Sequence, residues 1–72
     1  MITDKYGRSI TDSRVNDARE FYGLSTDTPK PTGKLANGLD IPNGAAFLEI
    51  DTGDLYLYDA ENEEWNLLGG DE

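Results

Sequence analysis

The apolar positions of this chain change their spacing along its length, and the changes divide it into three stretches. Between residues 11 and 22, Val15, Ala18 and Phe21 with Tyr22 recur at three- and four-residue intervals, the stripe of a short amphipathic helix. Thr11, Asp12 or Ser13 would cap its start, and Gly23 stands where a glycine stops a helix. Residues 1–10 are polar with isolated Ile2, Tyr6 and Ile10, and read as an extended arm. From residue 46 the period shortens to two. Ala46–Asp51, Leu55–Asp59 and Glu64–Leu68 read as three antiparallel strands. The segment from Asp51 to Asp54 between the first two is a hairpin signal, with Gly53 at a positive φ and Asp51 bonding the turn backbone.

Alternation assigns the side chains to faces. Phe47 and Glu49 lie opposite Leu48 and Ile50; Tyr56 and Tyr58 lie opposite Leu55 and Leu57; Trp65 and Leu67 lie opposite Leu68. Both faces of the middle strand are apolar or aromatic, so either both are covered or one is presented to a partner. Residues 24–45 hold all three prolines and the turn dipeptides Asn37-Gly38 and Asn43-Gly44. This stretch reads as a linker, or as a segment that orders on a partner. The pattern therefore predicts a small α+β fold: residues 1–23 as an arm and one short helix that dock, 24–45 as a Pro/Gly-rich linker loop, 46–68 as a three-stranded β-meander, and 69–72 as a tail.

Composition sharpens this picture. Seventy-two residues make one domain, and the chain has no Cys and no His. A core of this size supplies only about 3–5 kcal/mol and usually needs a staple. Disulfides and zinc of the Cys/His type are excluded, which leaves a partner chain. A homo-oligomer follows as an expectation, with a trimer as the first guess by analogy with projecting fibres. The formal net charge is −9. Residues 1–34 carry six bases and five acids, 6 − 5 = +1, whereas residues 35–72 carry ten acids and no base, −10. An anionic C-terminal half disfavours nucleic acid and acidic lipid as partners. No stretch has the length of a membrane span, and the polar N-terminus lacks a signal-peptide pattern, so synthesis in the cytoplasm is expected.

Candidate chemistry is sparse. Without His or Cys, no nucleophile–base pair can be assembled. Asp51-Thr52-Gly53 is the local pattern of an aspartic-protease half-site, but Asp54 follows it and the chain has too few strands for a cleft. The turn reading is the simpler one. Asp51, Asp54, Asp59, Glu61, Glu63 and Glu64 offer oxygen ligands without the spacing of a calcium loop, and read as solvated acids. No enzyme activity, cofactor or metal is expected. Tyr56, Tyr58 and Trp65 could anchor a protein interface or stack on a sugar, or simply form a core.

The run Leu24-Ser-Thr-Asp-Thr-Pro-Lys-Pro31, the stretch from Ile41 through Phe47-Leu-Glu-Ile-Asp-Thr-Gly-Asp-Leu-Tyr-Leu-Tyr-Asp59, and Trp65 together resemble a family of short phage and prophage proteins. The family pattern is a Ser-Thr-Asp-Thr-Lys-Pro stretch, a Pro-x-Gly turn, and an aromatic-x-Glu-Ile-Asp-Thr-Gly-x-x-Tyr-x-Tyr-Asp hairpin ending in Trp. The likeness covers about residues 24–66; here Pro29 precedes Lys30 and the following loop carries extra residues. The resemblance implies a virion accessory structural role: capsid decoration, head fibre or tail component. The expectation is then a virion protein that docks on a major capsid or other virion protein through Tyr6, Ile10, Val15, Ala18, Phe21 and Tyr22. The acidic β-module, with Tyr56, Tyr58 and Trp65, would be presented outward. The alternative is a module of a phage tail or fibre that binds a host-surface glycan or protein.

Overall fold

Five strands form one mixed sheet in the computed structural model, which describes residues 1–68. They are β1 (Thr3–Asp4), β2 (Glu20–Gly23), β3 (Ala46–Glu49), β4 (Leu55–Asp59) and β5 (Glu64–Leu67), and they lie side by side in chain order. β2 and β3 are parallel; the other three pairings are antiparallel. The meander β3–β4–β5 is therefore the expected one, within two residues at each end. The tail reading of 69–72 lies outside the described residues.

The predicted α+β class is overturned. Among the described residues there is no helix, and the sheet has five strands rather than three. Local hydrogen bonding explains the missing helix. Asp12 Oδ1 accepts from the Arg14 amide and Asp17 Oδ1 from the Arg19 amide, while the Asp12 and Val15 amides donate to the Ser9 and Asp12 carbonyls. Short polar side chains thus offer the backbone turns in place of a helical ladder. Phe21 and Tyr22, which favour strands, pair with β1 and β3 instead. Gly23, expected to end a helix, is the last residue of β2. A Cβ there would meet the Phe47 ring at 3.0 Å, Ile2 at 3.2 Å and Asp27 at 3.3 Å, so a larger residue would push these neighbours aside.

The long Pro/Gly stretch is the crossover that a parallel β2–β3 pair demands. It packs across one face of the sheet. Val15 and Ala18 from the preceding turns, Leu35 and Ile41 from the crossover, and Phe21, Phe47 and Tyr58 from the strands form one buried cluster with Ala45. Side-chain hydrogen bonds tie the crossover down: Trp65 Nε1 donates to the Pro31 carbonyl at 2.8 Å, the Gly33 amide to the Tyr58 hydroxyl at 2.8 Å, and Asn37 Nδ2 to the Val15 carbonyl at 2.7 Å. The stretch expected to be a linker thus supplies three of the eight buried core residues, Leu35, Ile41 and Ala45.

Gly53 holds φ at 78° in the turn after β3, and its Cβ direction is open. Gly53→Val is expected to lower stability by about 1–3 kcal/mol through backbone strain alone. A urea titration that places the variant's midpoint on the parent's would show that the turn relaxes without this conformation.

Candidate interaction face

The two faces of the sheet differ in what they meet. On the covered face, register aligns Phe21, Phe47 and Tyr56 across β2, β3 and β4, with Tyr58 opposite Trp65 across β4 and β5. Trp65 meets Phe21, Phe47 and Tyr58 at centroid distances of 6.1, 5.8 and 4.8 Å, the first two edge-on. The opposite face carries Tyr22, Leu48 and Leu55 in one row, and Ala46 beside Leu57 in the next. No segment among the described residues crosses it. Leu57 is 37 % exposed, and Ile50 and Leu68 at its border are 62 % and 54 % exposed. A shallow hollow of about 250 Å³ opens there, lined by Glu20, Phe21, Tyr22, Ala46, Leu48 and Leu55.

The sequence-predicted site residues divide between these surroundings. Val15, Ala18, Phe21 and Tyr58 are buried in the core, and Ile10, Tyr56 and Trp65 pack against it. Tyr6 is exposed, at 63 %. Tyr22 alone of the set lies in the row of the open face. Its hydroxyl donates to Glu20 Oε1 at 3.2 Å, and this bond to a carboxylate, with burial, raises its pKa. Asp51 accepts from both the amide and the hydroxyl of Ser25, at 2.9 and 2.6 Å, so it ties the turn to the start of the crossover. Alternation had already grouped Leu48, Leu55 and Leu57 opposite the aromatics; what no local pattern told was which face the crossover would cover.

Five of the six basic side chains are spent in ion pairs inside the chain. Asp17 accepts from Arg19 and pairs with Lys5, Arg14 pairs with Asp12, and Lys34 with Asp40. The buried pair is Lys30–Glu49, at 2.9 Å, where Thr52 also donates to Glu49. Lys30 Nζ lies 4.2 Å from the Tyr56 ring centroid and 5.0 Å from that of Phe47, so its charge is also held by aromatic faces. Among the described residues no group of three or more acids is placed to hold a metal ion. Asp4, also buried, bonds the Tyr6 and Arg8 amides through Oδ1, leaving Oδ2 without a partner.

These pairings predict acid sensitivity. The Lys30 bond holds the Glu49 carboxyl below its ordinary range, Arg19 does the same for Asp17, and Arg14 brings Asp12 down to about 2. A carboxyl with a lower pKa in the folded chain stabilises it fully above its unfolded pKa. That contribution is lost as pH falls through the folded value. The urea midpoint should therefore fall between about pH 5 and pH 2. A midpoint that is flat or rising toward acid would refute the pairings.

No family model, curated protein or solved structure matches this chain.

Proposed function

We propose that this protein is a virion accessory structural protein of the capsid-decoration or head-fibre kind, and that it docks on a larger particle protein through the open face of its sheet. The observation that carries the reading is that face: a half-buried row of Tyr22, Leu48 and Leu55 with the exposed Leu57 beside it, in a chain of 72 residues. A small domain has little apolar surface to bury, so an apolar face left open to solvent supports a contact with another surface. The resemblance of residues 24–66 to short phage proteins supplies the particle.

The docking element differs from the N-terminal one expected from spacing. Val15, Ala18 and Phe21 hold this chain's own core, so they are not free to dock. The homo-oligomer expectation rests on that stripe, on a sheet apolar on both faces and on the lack of a staple; the stripe is spent in the core, and the other two grounds stand. The glycan-binding alternative needs Tyr56, Tyr58 and Trp65 presented outward, whereas all three face the crossover.

Incorporation into particles tests the proposal. Leu48→Asp and Leu57→Asp should keep the circular dichroism spectrum of the parent and lose incorporation. Either variant entering particles at parental stoichiometry would refute docking through this face.

A further inference from the structure

Charge is distributed unevenly along the strands of the open face. At one end, past the row of Tyr22, Leu48 and Leu55, the border residue is Ile50, and the acids beyond it, Asp51 and Asp54, belong to the turn rather than to a strand. At the other end, register brings the acidic end residues of three strands to one border: Glu20 at the start of β2, Asp59 at the end of β4 and Glu64 at the start of β5. Lys5, the residue after β1, is the cation of that border, and its ammonium is bonded to Asp17 at 3.1 Å. Arg19, next to Glu20 in sequence, is likewise bonded to Asp17. Glu20 and Glu64 pair with no cation within 4 Å among the described residues; the Glu20 carboxylate has only the Tyr22 hydroxyl. Asp59 is engaged by the amides of Glu61 and Asn62 and by the Asn62 side chain.

We infer that the occupant of this face is a partner protein surface with an apolar centre and lysine or arginine at one edge, and that Glu20, at the rim of the 250 Å³ hollow, receives one of those cations. The inference rests on the docking reading above and adds the chemistry of the partner. The hollow, walled by Tyr22, Ala46, Leu48 and Leu55, accepts a bulky apolar side chain. Glu20 at its rim is placed for a basic neighbour of that side chain, the pairing of anchor and charge that fixes orientation at interfaces.

A second copy of this chain does not meet these requirements. In an aligned sheet-on-sheet pairing, the acidic end of one face would meet either the acidic end of its mate or the apolar end. The first repels; the second buries carboxylates against leucine. Each copy also brings a net charge of −9. Five strands about 4.8 Å apart and three same-face residues about 6.6 Å apart give a footprint on the order of 250 Å². A stable interface takes about 800 Å² from each partner. The face is thus an anchor point whose strength needs a complementary charge.

The test is a titration of the full chain, labelled with ¹⁵N, with synthetic peptides of alternating Leu and Lys, alternating Ser and Lys, and alternating Leu and Glu. The Leu/Lys peptide should saturably shift the amides of Glu20–Tyr22, Ala46–Leu48 and Leu55–Leu57, and the other two should not. Glu20→Gln should weaken that binding about three- to fivefold, the value of one rim ion pair, and added salt should remove the difference. Leu48→Asp should abolish it. Three results overturn the inference while leaving docking itself standing: equal binding of the Leu/Glu peptide, unchanged affinity in Glu20→Gln, or sedimentation equilibrium showing a dimer that Leu48→Asp dissociates. Shifts centred on Asp59–Glu64 with none at Leu48 would overturn both the inference and the docking face.

Discussion

Phe47→Ala should leave the chain without a cooperative unfolding transition at room temperature. Phe47 is fully buried, at 0 % exposure, and it is the point at which the two halves of the core meet. Its ring packs edge-on to Trp65, it lies beneath the Lys30 ammonium, and its Cζ is where a side chain at position 23 would collide. Truncating a buried Phe costs about 3–5 kcal/mol, counting the cavity left behind. A core in a chain this short supplies about as much in total. Neighbours can close the gap only partly, because β2 and β4 flank β3 on both sides and hold its backbone. Circular dichroism and Trp65 fluorescence across a urea series provide the measurement. Leu57→Ala, on the open face and 37 % exposed, is the control and should change stability by about 1 kcal/mol or less. A Phe47→Ala midpoint equal to the control's would mean that Phe47 is not the centre of the core.

Trp65→Ala should release the crossover as well as lower stability. The indole touches three aromatic rings, and its N–H supplies the bond to the Pro31 carbonyl that pins the crossover. Losing the ring costs about 3–5 kcal/mol, and the Pro31 carbonyl also loses its donor. Trp65→Phe separates the two effects, since it keeps an aromatic ring and deletes the N–H. Brief trypsin treatment should cut after Lys34 fastest in Trp65→Ala, at an intermediate rate in Trp65→Phe, and slowest in the parent. Equal rates for the parent and Trp65→Phe would show that the Pro31 bond does not hold the crossover.

The sequence by itself determined the C-terminal meander, its hairpin and its faces. Period-two alternation of aromatic and aliphatic residues is local information, and pairing β3, β4 and β5 requires only tight turns, one of them at Gly53 with its positive φ. The buried positions of the first half were also legible: Val15, Ala18 and Phe21 recur because all three enter the core. Their spacing suits a helix, but three-residue intervals equally suit a chain of turns that returns repeatedly to one surface. Ser9, Asp12 and Asp17 decide between the two by bonding nearby amides.

Only the tertiary structure decided the pairing of β2 with β3, and with it the role of residues 24–45. A parallel contact between segments this far apart in the chain leaves no local periodic mark, since what selects it is the collective fit of Leu35, Ile41, Trp65 and Phe47. The same fit decides function. Once the crossover lies over Phe47 and Tyr58, those aromatics become interior, and Leu48, Leu55 and Leu57 are left facing outward. Alternation sorts residues into two faces, and long-range packing chooses which of the two is buried.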